Sequence, residues 1–425
     1  MKPRQGTSTT SGSAGAPLEI KNAPLRLALP PFSISRAIFS LWQLVIYSAL
    51  IIFALESFFY FACVGDSEHI QPDKKIGFKP FAGKRITQRK EGFGCFKLNS
   101  FGMQDDEIAL AKAPNTYRVA VFGDSYVEAL HVPRQKNFVS VLEKQLSERM
   151  PGKNIEVLNF GVSNYSIGQD YLRYQTLARQ FKPDLVVQTF RVEEISKLLP
   201  QATTCLLFVR PVYFSDYQGN IKYDDTCVRG YYESREGKRM LSTQWLRQNS
   251  RIWGVWGEMM QSWMAFEPEL KKGWKDGLQS LASIGKSKEQ GKVTQSKASG
   301  FSLPTDETRK NYANCYWYMM DGQLTAFQKD CTADGAKFMF LRTPMVRPGA
   351  HDLTDNNTES RLLAKTAAKL GVPLLDLDHS YRQEFSTHDD GTRFSGGGHF
   401  TTPTHQWVGL KTAEFISASE LLPKP

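Results

Sequence analysis

No metal-ligand spacing, no Walker loop and no dinucleotide-binding glycine fingerprint occurs in this 425-residue chain. Without them the sequence calls for no cofactor and no bound metal. Long basic runs are lacking too. The formal net charge is +10, but much of the excess sits in the N-terminal tail and in one polar linker. No nucleic-acid-binding module stands out, so nucleic acid is not an expected partner. Internal repeats are absent. Cysteine is sparse at six, an even count that suits disulfides outside the cytoplasm.

Long apolar runs are also scarce, and the single example is informative. Residues 37–55 read "AIFSLWQLVIYSALIIFAL" and are followed by "ESFFYFACV". The run matches the roughly 20 residues that a membrane helix needs. Lys2, Arg4, Lys21, Arg26 and Arg36 precede it, against one acid, Glu19. The positive-inside rule then predicts a cytoplasmic N-terminus, with everything after Val64 on the far side of the membrane. A cleaved signal peptide fits poorly, because the charged region is long and no clean small-x-small site follows. A lipid-attachment role for Cys63 lacks a leucine three residues earlier. The organisation expected is a disordered tail over 1–36, a signal-anchor helix over 37–64, a lead-in segment over 65–115 and a large domain over 116–425.

From Tyr117 onward apolar strands alternate with amphipathic helices. "YRVAVFG", "IEVLNFG", "DLVVQTF", "AKFMFLRTP" and "VPLLDLD" read as strands. "NFVSVLEKQLSERM", "SIGQDYLRYQTLARQF", "QLTAFQKDCTADG", "RLLAKTAAKLG" and the closing "TPTHQWVGLKTAEFISASELL" read as helices. This alternation predicts an α/β fold: a mainly parallel sheet between two helical layers. In such sheets active groups collect beyond the carboxyl ends of the strands. An insertion over about 200–312 interrupts the pattern. Within it Cys205 and Cys227 flank a hairpin expected to turn at Asp216–Asn220, and a bridge between them is expected. The stretch "STQWLRQNSRIWGVWGEMM" reads as one amphipathic helix, and a polar Gly/Ser/Lys-rich linker follows.

Four short segments fall at the carboxyl ends of these strands: "GDSY" around Ser125, "NFGVSN" after the second strand, "FRVEE" after the third, and "GGGHF" before the last helix. Together they resemble the SGNH/GDSL hydrolase superfamily. Upstream, "KLNSFGMQDDE" resembles the Asn-Ser-x-Gly lead-in of its membrane-anchored bacterial members. The resemblance implies an ester-handling site in which Ser125 is the nucleophile and His399 the general base, with the oxyanion held by backbone N–H groups. Read without the resemblance, Ser125 is a helix N-cap serine and His399 an exposed loop residue. His405, inside the last helix, reads as structural.

Three positions depart from the family pattern. The oxyanion glycine falls on Asn164, which tolerates left-handed backbone geometry better than most residues. Gly396 and Gly397 stand where an aspartate would orient the histidine, leaving Asp389 or Asp390 to reach back. The third-block asparagine falls on Glu193, whose charge would repel an oxyanion unless the residue is neutral or turned away. Glu193 and Glu194 also read simply as acids at a helix start. The expectation is a membrane-anchored extracytoplasmic ester hydrolase or acyltransferase, with an acylated substrate that includes cell-envelope carbohydrate by analogy. The alternative is an impaired member of the fold that serves in polysaccharide binding or assembly.

Overall fold

The computed structural model describes residues 34–191, 194, 197–198, 205–215, 221–264, 267, 306–345, 358–385 and 392–422. The N-terminal tail, the polar linker, Glu193, Asp389, Asp390 and the turn at Asp216–Asn220 lie outside them. The chain divides into a unit over Met1–Ala54 and a unit over Leu55–Pro425.

Helix α1 runs over Ile34–Ala62. Its stretch Ile38–Ala62 is long and apolar enough to cross a membrane. At ~1.5 Å per residue, 25 residues span about 37 Å, against a hydrocarbon core of ~30 Å.

Two small antiparallel hairpins follow in the lead-in: β1 (Ile70–Asp73) with β2 (Gly77–Pro80), and β3 (Arg85–Gln88) with β4 (Gly94–Lys97). The Asn-Ser-x-Gly stretch then forms a turn organised by Asn99, whose Oδ1 accepts the N–H groups of Phe101 and Met103.

The large domain contains β5 (Thr116–Phe122), the short helix α2 (Ser125–Glu128), α3 (Phe138–Arg149), β6 (Asn154–Asn159), α4 (Ile167–Thr176) and β7 (Leu185–Phe190). The insertion supplies β8 (Val212–Ser215), β9 (Ile221–Asp224), α5 (Thr226–Glu233), α6 (Arg235–Ser242), α7 (Gln244–Asn249) and α8 over residues 251–264. The fold closes with α9 (Asp306–Ala333), β10 (Lys337–Arg342), α10 (Thr358–Leu370), β11 (Leu374–Asp376), α11 (Leu377–Phe385) and α12 (Thr402–Ala418).

The five strands expected from the alternation form one sheet in the order β11-β10-β7-β5-β6. Every pairing in it is parallel. Parallel strands are covered on both faces, which is why they read as nearly unbroken apolar runs. Ala120, Phe122, Leu158, Val186 and Phe340 point into one core with residues of α4, α9 and α10. Val119, Val121, Val157, Val187 and Leu341 point into a second core with α3, α11 and α12. The result is a three-layer α/β/α domain. Its helix starts are signed in sequence: Ser166 and Gln169 make a reciprocal capping box on α4, and Asn137 caps α3, each cap contributing ~1 kcal/mol.

The chain leaves β5 for β6 on one side and then crosses to β7 on the other. Such a reversal opens a crevice at the carboxyl end of the strand where it occurs. Ser125 begins three residues after β5, at that point.

Two expectations about the insertion are corrected. Cys205 and Cys227 are not bridged. The β8–β9 hairpin exists, but its register pairs Val212 with Asp224, so Val209, not Cys205, would oppose Cys227 if the ladder continued. Cys205 instead precedes a 3-10 turn over Leu206–Phe208, and Cys227 lies within α5. The expected single helix after the hairpin is two, α7 and α8, broken at an extended Ser250. Glu56 sits at the break: its carboxylate accepts from Ser250 Oγ at 2.6 Å and from the N–H groups of Arg251 and Ile252 at 2.8 and 3.2 Å. It thereby caps the N-terminus of α8.

Candidate active site

Ser125 opens α2 on a tight turn. Gly123 takes φ +154°, and a Cβ there would stand 2.0 Å from Thr189 Oγ1, so the turn requires glycine. Asp124 caps α2 by accepting from Tyr126 N–H at 3.1 Å. Burial opposes the charge of Asp124. Lys197 Nζ at 3.0 Å and Arg191 at 3.9 Å outweigh it and hold the carboxyl at about 2. The segment after β7 therefore reaches the Ser125 turn through two cations. Arg191 also lies over the Tyr126 ring, 3.5 Å from its centroid.

Ser125 and His399 are 274 residues apart in sequence, yet Ser125 Oγ lies 2.7 Å from His399 Nε2. The loop bearing His399 is fixed to α2 by the Tyr126 hydroxyl, which donates to Gly398 O at 2.7 Å. It is fixed to itself by Ser395 Oγ, which accepts from His399 N–H at 3.0 Å. A ring nitrogen of the buried His131 donates to Phe400 O at 2.7 Å. His405 is fully buried, with its ring stacked on that of Phe138, and burial pushes its pKa well down. It is a neutral core histidine, as its place in the last helix suggested.

The carboxylate that meets the His399 ring comes from the lead-in, which the sequence does not mark as part of the site. Glu91, in the turn between β3 and β4, places Oε2 2.6 Å from His399 Nδ1 and accepts from Ser395 Oγ at 2.6 Å. A carboxylate only accepts, so Nδ1 carries the ring proton and Nε2 is free to accept the serine hydroxyl hydrogen. Burial raises the Glu91 pKa, but the bonds from Ser395 and His399 outweigh it and leave the carboxyl below its ordinary value. The residue keeps a left-handed backbone, φ +65°.

The missing aspartate now has a physical explanation. A Cβ on Gly397 would fall 2.0 Å from Glu91 Oε1 and 2.2 Å from its Cδ. The space that a carboxylate at 397 would enter is filled by a carboxylate arriving from the lead-in. The bare glycines are the one signal in the sequence that another group occupies that space.

Asn164 takes φ +62°, the left-handed geometry expected of the oxyanion position. Its carboxamide donates to Leu207 O at 2.7 Å and is thus committed to the insertion. Among the described residues neither the Ser125 N–H nor the Asn164 N–H has a protein acceptor. The loop before Asn164 is held by Glu128, which accepts from Ser163 N–H at 2.8 Å and from the Ser163 hydroxyl. His69, in the lead-in, stands 3.5 Å from Glu128 as its counter-group. Gly161 lets this loop close on α2, since a Cβ there would lie 2.4 Å from Glu128 N.

Glu193 lies outside the described residues. Its neighbour Glu194 lies in a 3-10 turn, its N–H bonded to Arg191 O at 3.0 Å. It is buried and binds Lys197 Nζ at 2.6 Å.

No family model matches the chain, and no curated protein matches it. Among solved structures it is similar to LAE5, an alpha/beta hydrolase enzyme from the metagenome of Lake Arreo, at 11% identity and TM-score 0.36, over 74% of this chain and 99% of that one. It is similar to Axe2, an acetylxylan esterase from Geobacillus stearothermophilus, at 11% identity and TM-score 0.37, over 73% and 97%. It is similar to TesA at 13% identity and TM-score 0.34, over 72% and 99%. At these identities and scores the neighbours say nothing of substrate. The chain has a three-layer α/β/α fold on a five-stranded parallel sheet, with the segments around Ser125 and Asn164 following β5 and β6 at the carboxyl end of that sheet.

Proposed function

We propose that this chain is a membrane-anchored, extracytoplasmic ester hydrolase or acyltransferase that works through Ser125, His399 and Glu91. One observation carries the reading: the continuous row from Ser125 Oγ to His399 Nε2 at 2.7 Å and from His399 Nδ1 to Glu91 Oε2 at 2.6 Å. In this scheme Ser125 Oγ attacks the ester carbonyl while its proton passes to His399 Nε2. Glu91 stabilises the imidazolium and keeps the ring in place. The Ser125 and Asn164 N–H groups receive the oxyanion, each such donor contributing ~3 kcal/mol to the transition state. The imidazolium returns its proton to the leaving alcohol as the acyl-enzyme forms. Water, or a sugar hydroxyl, then attacks the acyl group by the same route in reverse.

The competing reading, an impaired protein that only binds envelope polysaccharide, drew its support from the absent aspartate and from Glu193. Glu91 removes the first of these supports. Placement of the domain outside the cytoplasm rests on the five basic residues before the apolar run. Acylated envelope carbohydrate as substrate rests on the resemblance to envelope-modifying members.

The test is hydrolysis of an aryl acetate by the full-length chain in detergent, with and without a sugar alcohol as acceptor. Acetate release that disappears in both Ser125→Ala and His399→Ala supports the reading, and acetylated sugar would mark a transferase. Release that persists in Ser125→Ala overturns it.

A further inference from the structure

Cys63 and Cys95 lie outside the catalytic row but meet at the foot of the hairpin that carries Glu91. Cys63 is the first residue after α1 and takes a left-handed backbone, φ +54°. Cys95 is the second residue of β4 and pairs across the ladder with Thr87. The two sulfurs are 3.4 Å apart. Both residues are partly exposed, whereas Cys331 is buried. Arg85, on β3, directs Nη2 at both sulfurs, 2.6 Å from Cys63 and 3.2 Å from Cys95. Thr87 Oγ1 stands 3.7 Å from Cys95 Sγ. A disulfide has its sulfurs ~2.05 Å apart, so bonding asks for an approach of about 1.4 Å.

We propose that Cys63 and Cys95 form a disulfide that fastens the Glu91 hairpin to the chain leaving α1. The oxidant is a disulfide donor, either glutathione disulfide or the disulfide of a thiol oxidoreductase. The Cys95 thiolate attacks one donor sulfur and releases the first donor thiol. The Cys63 thiolate then attacks the Cys95 sulfur of the mixed disulfide and releases the second. Two cysteine thiols are oxidised to one disulfide while the donor disulfide is reduced to two thiols.

The surroundings suit Cys95 to the first attack. Burial works against its charge, but the hydrogen bonds from Arg85 and Thr87 outweigh it and hold its thiol below the ordinary value. Contact with Cys95 and burial hold Cys63 above its own. Low-pKa thiols beside a guanidinium are the reactive ones. The bond closes the segment from 63 to 95, and Glu91 sits inside the closed loop. An otherwise exposed turn thereby becomes a fixed support for the histidine.

The bond can be read without any turnover, so it stands or falls apart from the esterase reading. The full-length chain in detergent is treated with glutathione disulfide, alkylated, digested and mapped by mass spectrometry without reduction. The expected result is a peptide pair joined through Cys63 and Cys95. It should vanish on reduction and be missing from Cys63→Ser and from Cys95→Ser. Alkylation-resistant Cys331 reports that each variant is folded. The proposal is overturned if a chain with protected Cys331 leaves Cys63 and Cys95 alkylated as free thiols, carries glutathione on them as the end product, or joins either one to a different cysteine.

Discussion

Replacing Glu91 is the sharpest perturbation of the site, because the expected loss divides into parts. Glu91→Gln keeps a carbonyl oxygen that can accept from both His399 Nδ1 and Ser395 Oγ, so the ring's tautomer survives and only the charge is lost. An imidazolium and a carboxylate with charge centres ~4 Å apart attract by ~4 kcal/mol at an effective dielectric of 20 and by ~1 kcal/mol in water. The Glu91 side chain is 27% exposed, which places the loss between these limits. We expect kcat to fall about tenfold to a hundredfold, with KM little changed. Glu91→Ala also frees the ring to turn, and its loss should approach the ~10⁴ seen when a serine protease triad loses its carboxylate. Gly397→Asp alone should be damaging, since its side chain collides with Glu91. In the Glu91→Ala background the same substitution enters vacated space and should recover part of the lost kcat. The assay is aryl acetate hydrolysis under saturating substrate. Unchanged kcat in Glu91→Ala, or full activity in Gly397→Asp with Glu91 present, would refute the reasoning.

Asp105 supplies a pH-dependent stability prediction. It is buried under the second block, where its Oδ2 accepts from Asn159 N–H at 3.2 Å, and burial pushes its pKa up to about 7. A carboxyl whose pKa is raised on folding contributes stability below its unfolded pKa, and that contribution is lost as pH rises from about 4 through about 7. Above that window the buried charge costs up to ~4 kcal/mol. Asp105→Asn should therefore raise Tm at pH 8 and lose that advantage near pH 4, while an equal gain at both pH values would contradict the burial argument. At Asn164 the proposed oxyanion donor is the backbone N–H. Asn164→Gly should keep kcat within a few-fold, whereas Asn164→Val, forced into a left-handed conformation costing ~1–2 kcal/mol, should lower it by about tenfold or more. A glycine variant as weak as the valine variant would show that the carboxamide does the work.

The sheet was legible because its central strands β5, β7 and β10 are buried almost throughout and so appear as apolar runs between amphipathic helices. Ser125, Asn164 and His399 could be named as candidates from the sequence because each follows a strand or precedes a helix at a recognisable spacing. Glu91 could not. It meets His399 across 308 residues, from a turn between two four-residue strands, and no local periodicity encodes a contact of that kind. Gly397 carried the only trace of it, as an absence. The Cys205–Cys227 expectation failed for a related reason. Flanking positions in sequence do not fix pairing across a hairpin, and the 3-10 turn at Leu206–Phe208 shifts Cys205 away from the position opposite Cys227. Among the described residues Cys63 and Cys95 meet, brought together by the β3–β4 ladder and the end of α1, again without a sequence signal.

The most direct measurement of the central claim is serine-directed fluorophosphonate labelling of the full-length chain in detergent, with the adduct mapped by mass spectrometry. A serine hydroxyl activated by an oriented imidazole reacts with such a reagent, and an ordinary N-cap serine does not. The expected adduct is on the peptide containing Ser125, absent in Ser125→Ala and formed much more slowly in Glu91→Ala. A folded chain in which Ser125 stays unlabelled, or in which the rate of labelling is indifferent to Glu91, would contradict the central claim.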